Sequence, residues 1–156
     1  MRKVIVPQGN KGVVPPVENW LDVESLAQVE LTSEEASHTI ESALNGLGPG
    51  WRASEPGQQT IRLTFDKPLS IRLVHLIFYE NEQQRTHEFL LRWSSDGGRS
   101  YQEIVRQQYN FSPTDNTREI EDYEVNLAGL TALEISISPD ISGGSARASI
   151  AEIRLA

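Results

Sequence analysis

The chain has 156 residues, room for one ordinary domain, with no cysteine and a net charge of −8 from 14 basic and 22 acidic residues. The lack of cysteine excludes disulfides, thiolate metal sites and thiol nucleophiles. The acidity makes nucleic acid an unlikely partner and argues against a polybasic membrane patch, and no apolar run approaches the ~18 residues of a transmembrane helix.

The charge is uneven. Residues 1–11 carry Arg2, Lys3 and Lys11 and no acid, whereas residues 12–51 carry seven acids and no base. Such an acidic surface suits neutral ligands, cations or basic partners. Met1-Arg2-Lys3 is followed only by Val4-Ile5-Val6 and then Pro7. That is far short of a secretory h-region of ~7–15 residues, so a cytoplasmic location is expected.

Taken in chain order, residues 1–25 read as an irregular arm, with Val4-Ile5-Val6 a possible short strand. Pro7, Gly9, Gly12, Pro15 and Pro16 break its regularity. A domain over 26–156 follows. Thr32 with Glu35 three residues later has the form of a capping box, and Ala36, Ile40, Ala43 and Leu44 give an apolar face, so a short helix is expected over 34–44. Strands then dominate. Ile61, Leu63 and Phe65 share one face, and Ile71–Tyr79 is mostly apolar, as in a strand covered on both sides. Phe89, Leu91 and Trp93 alternate, then a mixed run over Tyr101–Tyr109, then Tyr123, Val125 and Leu127, then Leu133, Ile135 and Ile137, and last Ser149–Leu155. Asp66-Lys67-Pro68, Asp96-Gly97-Gly98, Ser112-Pro113 and Ser142-Gly143-Gly144 read as the turns between them. About eight short strands and one helix predict an all-β sandwich.

Nothing in the pattern demands catalysis. The three histidines, His38, His75 and His87, are scattered, and neither G-x-S-x-G nor H-E-x-x-H occurs. His75 lies in an apolar strand and reads as a satisfied core histidine. The acids Glu119, Glu121, Asp122 and Glu124 read as a solvated strand or a charged edge that resists aggregation. The expectation is a protein that is not an enzyme.

Four segments, in order, resemble the discoidin or F5/8 type C domains of the galactose-binding-like superfamily. Ala43-Leu44-Asn45-Gly46 with Gly50-Trp51-Arg52-Ala53-Ser54 is similar to the family's A-x-D-G…T-x-W-x-S. Ile61-Arg62-Leu63-Thr64-Phe65-Asp66 through Ile71 is similar to I-x-I-D-L-G…I. Phe89-Leu90-Leu91-Arg92-Trp93-Ser94-Ser95-Asp96-Gly97 is similar to F-x-I-x-x-S-x-D-G, and Ile150-Ala151-Glu152-Ile153-Arg154-Leu155 to I-x-E-I-x-V. The resemblance implies a jelly-roll β-sandwich used for binding carbohydrate, lipid head groups or protein. It also implies a weak structural Ca²⁺ held by loop carbonyls over Asn45–Gly50, Gly48 among them, with a carboxylate from Glu152. Asn45 stands where the family often has Asp. The alternative is a metal-free loop in which Glu152 bonds a backbone N–H or an arginine.

In such a fold the ligand sits at loops on one end, here residues 33–38, 48–57 and 80–87. His38, Trp51, Arg52, Tyr79, Asn81, Arg85 and His87 are the candidate ligand-binding residues. Amides, guanidinium and imidazole suit sugar hydroxyls, and Trp51 or Tyr79 could face the apolar side of a ring. The reading is a non-catalytic carbohydrate-binding module. The competing reading is a protein-interaction module using Arg106-Gln107-Gln108-Tyr109-Asn110-Phe111 or the N-terminal arm.

Overall fold

The structure, a computed structural model, describes residues 19–156. The Val4–Val6 strand and most of the arm lie outside the described residues. A single turn of helix, α1 (Val23–Leu26), buries Val23 and leads into β1 (Ala27–Leu31). Then come α2 (Ile40–Asn45), β2 (Trp51–Arg52), β3 (Gln59–Tyr79), β4 (Arg85–Ser94), β5 (Gln102–Phe111), β6 (Arg118–Ser138), β7 (Ser149–Ile150) and β8 (Glu152–Leu155).

Two long strands organise the rest. In β3, Gln59–Thr64 faces Ala132–Ile137 of β6, and Ile71–Tyr79 faces Arg118–Leu127, with register shifts between Thr64 and Leu73. Each strand therefore bends and takes part in two layers. One layer runs β1-β3-β6-β4-β5, and the other places β8 beside the second half of β3. The layers face each other: Phe78, in the second half of β3, stacks on Phe89 of β4 with ring centroids 4.9 Å apart. Ile61, Leu63, Leu133, Ile135 and Phe89 fill the space from one side, and Val74, Leu76, Ile153 and Leu155 from the other. The period-2 alternation of these residues is what turns them inward together. The expected all-β sandwich with minimal helix is the observed one.

Several local expectations are corrected. The turn read at Asp66-Lys67-Pro68 is a bend inside β3, and Pro68 falls between Thr64 and Leu69, where β3 and β6 form no register pair, so its missing N–H costs no ladder bond. The helix begins at Ile40, not at residue 34. The Thr32 and Ser33 hydroxyls are drawn away to Gln59 Oε1, at 2.6 and 2.7 Å, and Glu35 is taken by two arginines. Glu34 supplies the cap instead, its Oε1 accepting from the Ile40 N–H at 2.6 Å. Gly46, at φ 70°, closes the helix in the left-handed region. The acidic stretch of β6 is not simply solvated: Glu119 is buried against His87, with 2.6 Å between Oε1 and Nε2. On the opposite face, Asp122 lies 2.6 Å from His75 Nδ1, beneath the Trp20 ring, so that histidine is satisfied as expected, but at 18% exposure it lies outside the core.

The outer face of the larger layer carries a ladder of alternating charge. Glu30, Arg62, Glu134, Arg92 and Glu103 stand directly opposite one another on β1, β3, β6, β4 and β5. Arg62 bonds Glu134 at 2.8 Å and Glu30 at 3.3 Å, Arg92 also bonds Glu134, and Tyr101 lies over the Arg92 guanidinium at 4.6 Å. Burial pushes the Glu134 carboxyl up, and the bonds from Arg92 and Arg62 outweigh it, so the group titrates below its ordinary value. Its stabilising effect is full above about pH 4.5, the ordinary value, and is lost as pH falls through the lowered one. Glu134→Ala leaves two guanidiniums without their shared carboxylate. We expect a loss of about 1–3 kcal/mol in calorimetric melting, against about 0–1 for Glu30→Ala at the exposed end of the ladder.

Candidate functional site

The short strand β2 is the hub of one end of the sandwich. It pairs with β7, Trp51 opposite Ile150 and Arg52 opposite Ser149. On its other side it binds the turn over residues 35–38: the Glu35 N–H donates to the Arg52 carbonyl at 2.9 Å, and the Arg52 N–H to the His38 carbonyl at 3.2 Å. Three backbone segments are thereby fixed side by side, and with the loop after β3 they enclose a cleft of ≈ 780 Å³.

Its first wall is an ionic cluster. Glu35 Oε2 accepts from Arg52 Nε at 2.9 Å and lies 3.4 Å from His38 Nδ1, while Oε1 accepts from Arg147 Nη1 at 2.6 Å. Burial pushes the Glu35 carboxyl up, and the hydrogen bonds from Arg52 and Arg147 outweigh this and hold it below its ordinary value. The carboxylate itself is largely covered, at 17% exposure, while Arg52 and Arg147 are 39% and 46% exposed. The second wall is the segment after β3. Tyr79 is 49% exposed, and Asn81 is exposed beside it. Arg85 is buried, donating to Glu80 Oε1 and to the Pro139 carbonyl, each at 2.6 Å, with its guanidinium over the Phe111 ring at 5.2 Å. It anchors this wall from below.

Of the seven ligand-binding candidates, six line the cleft: His38, Trp51, Arg52, Tyr79, Asn81 and Arg85. Trp51 is 1% exposed and its indole N–H donates to the Ser33 carbonyl at 3.0 Å, so it is framework under the cleft and offers no ring face. His87 is elsewhere, in the core among Phe78, Phe89 and Phe111. Burial, with the Arg85 charge nearby, pushes its imidazole down to about 3, so it is neutral at physiological pH. Arg147 escaped the sequence reading. It joins Glu35 across 112 residues of chain, and no local motif records such a meeting. The alternative surface is largely self-satisfied: Arg106 and Gln108 both bond the Glu88 carboxylate, at 2.6 and 2.8 Å, and Phe111 is buried.

The implied calcium residues are brought together, since a Cβ on Gly46 would stand 3.0 Å from Glu152 Oε1. The same point lies 3.1 Å from Arg154 Nη1, so a guanidinium occupies the approach. Asn45 is already committed, its Oδ1 to the Leu47 N–H at 2.8 Å and its Nδ2 to Glu24 at 3.0 Å. Calcium asks for six to eight oxygens with carboxylates among them and is repelled by a neighbouring cation. These residues do not fit it, and among the described residues no group of three or more His, Asp or Glu could hold a metal ion.

No protein-family model matches the chain, and no curated protein matches its sequence. Solved structures match its fold. A carbohydrate-binding module of family 32 from Clostridium perfringens NanJ, in complex with galactose, has 16% identity over 89% of this chain and 98% of its own, with a TM-score of 0.61. The family 32 module of AlyQ, in complex with 4,5-unsaturated mannuronic acid, has 18% identity over 84% of this chain and 95% of its own, with a TM-score of 0.61. Reduced XRCC1 bound to the catalytic domain of DNA polymerase β has 17% identity over 84% and 95%, with a TM-score of 0.59. The chain has the β-sandwich fold of these structures.

The charge arrangement at Gly46 gives a direct expectation. The melting temperature should be the same in millimolar calcium and in excess chelator, whereas an ion bound at hundredfold saturation would add about 2.7 kcal/mol. Arg154→Ala should lower it in both media, which separates a structural guanidinium from a metal site.

Proposed function

We propose that the chain is a non-catalytic carbohydrate-binding module whose ligand lies in the end cleft, between the Tyr79 ring and the Glu35–Arg52–Arg147 cluster. The observation that supports this most is the pairing of a half-exposed aromatic ring with fixed guanidinium donors across one concave surface. A sugar has an apolar C–H face for the ring and hydroxyls for the donors, and a cleft already formed pays little ordering entropy. The fold neighbours in complex with galactose and with unsaturated mannuronic acid support the same reading.

Two carboxylates of the cleft, Glu35 and Glu80, argue against hydrolysis. Glu35 is bonded by two arginines and Glu80 by Arg85, and in both the arginine bonds outweigh burial and hold the group below its ordinary value. A general acid needs the opposite shift. His38 is bound to its own turn, its Nδ1 at 2.9 Å from the Ser37 hydroxyl.

Screening against neutral and acidic glycans tests the proposal. Tyr79→Ala should weaken binding by about tenfold, the worth of one aromatic contact, and leave the melting temperature unchanged, since the ring is half exposed. Retained glycan binding in this variant would move the site away from the cleft. A second reading, protein recognition, draws on the outer edge of β5, which among the described residues pairs only with β4, and on the XRCC1 neighbour bound to another protein. A pull-down partner in the absence of any glycan hit would favour it.

A further inference from the structure

We propose that the cleft selects sugars bearing a carboxylate, uronic acids, and that Arg52 and Arg147 together receive that group. This rests on the cleft being a carbohydrate site and adds the chemical class of its ligand.

The argument is one of exposure. Glu35, Glu80 and Glu82 balance Arg52, Arg85 and Arg147 formally, yet the charges are not equally presented. Glu35 and Glu80 are mostly covered, at 17% and 12% exposure, and each is bonded by arginine, which leaves Glu82 on the other wall as the exposed carboxylate against the exposed Arg52 and Arg147. Arg85 is buried at 3%. Two guanidiniums, at 39% and 46%, face the opening from one wall, and their covered carboxylate spans both and fixes them side by side. Each guanidinium has five N–H donors and spends one nitrogen of its fork on Glu35. Both guanidiniums line the cleft, a pair carrying two positive charges against one largely covered negative one. A planar carboxylate is the group that such forks bind bidentately, while a neutral hydroxyl leaves the excess charge unused. In a chain of net charge −8, an exposed cationic pair lining the end cleft is the feature that acidity by itself does not explain.

The test is calorimetric titration of the full chain with oligogalacturonate, its methyl ester, galactose oligosaccharides and a sulfated galactan. The expected result is binding to the uronate, at least tenfold weaker binding to the methyl ester, and a fall in affinity as salt rises from 50 to 500 mM, which screens exposed charges (about 0.05 to 0.5 M). Arg147→Ala, at an exposed position, should lose uronate binding by about tenfold or more while melting as the wild type does, and Arg147→Lys should recover part of it. Binding to galactose or to the methyl ester as strong as to the uronate overturns the class and leaves the carbohydrate reading intact. Preference for the sulfated galactan also overturns it, assigning the arginine pair to sulfate. No binding to any of the four overturns both.

Discussion

The antiparallel pairing of β3 with β6 is the constraint on which the other elements depend. Because both strands pass through both layers, a slip of one residue anywhere along the pair would turn the apolar set outward in two layers at once. The sequence resists such a slip from two directions. Inside, Ile61, Leu63, Leu133 and Ile135 are all at 1% exposure or less. Outside, a shifted register would part the Glu30–Arg62–Glu134–Arg92 ladder from its partners: a slip of two residues puts Arg62 opposite Ala132 or Ser136 in place of Glu134. Hydrophobic burial provides most of the energy and is indifferent to partner, while the charge ladder discriminates among registers, so the two act on different parts of the problem.

The cleft inherits its geometry from this pair. Tyr79 is the last residue of β3 and Arg118, opposite it, the first of β6, so the second wall of the cleft is where this long strand pair ends. The first wall belongs to β2 and β7, attached to β3 through the Ala151 N–H, which donates to the Ile77 carbonyl at 2.7 Å. Gly50 allows this close approach, since a Cβ there would meet Ala151 Cα at 2.6 Å and the Ile150 carbonyl at 2.7 Å. A side chain at that position would push β2 away from β7 and move Arg52 with it. Fold and site are thus linked by a backbone contact as well as by charged side chains.

Much of the fold was legible because it rests on short-range alternation. Phe89-Leu91 and Leu133-Ile135-Ile137 declare their faces within a few residues, and the all-β sandwich follows from several such runs. Less of the site was legible, because its residues meet by topology. Arg147 is unremarkable beside Ala146 and Ala148, and only the pairing of β2 with β7 carries it to Glu35. The helix start failed for a related reason: Thr32 and Glu35 have the spacing of a capping box, but distant partners, Gln59 and two arginines, outbid the local ones. His87 misled because its polar neighbours in sequence, Arg85, Thr86 and Glu88, suggested a loop, while strand alternation turned it into the core opposite Glu119. Trp51 borders the cleft, yet its indole N–H bonds the Ser33 carbonyl and its ring is covered.

The recurrent use of arginine with a covered carboxylate has a further consequence for recognition. Glu35, Glu80, Glu88 and Glu134 each hold at least one arginine at a fixed angle. Where the arginine is buried, as at Arg85, the pair only braces a loop. Where it is exposed, as at Arg52 and Arg147, the same device produces donors whose rotamer entropy has already been lost in folding, so a ligand need not order them again. The gain per hydrogen bond remains small, about 1 kcal/mol, because each replaces a bond to water. One ring contact and a few such bonds therefore support an affinity of order millimolar to micromolar, and no more. A site of that strength becomes effective when the ligand repeats along a polymer, since a second engagement is then governed by local concentration and not by new contacts. Under the proposed function, a cleft whose donors are already held by Glu35 would suit a repeating sugar polymer bound by many weak contacts.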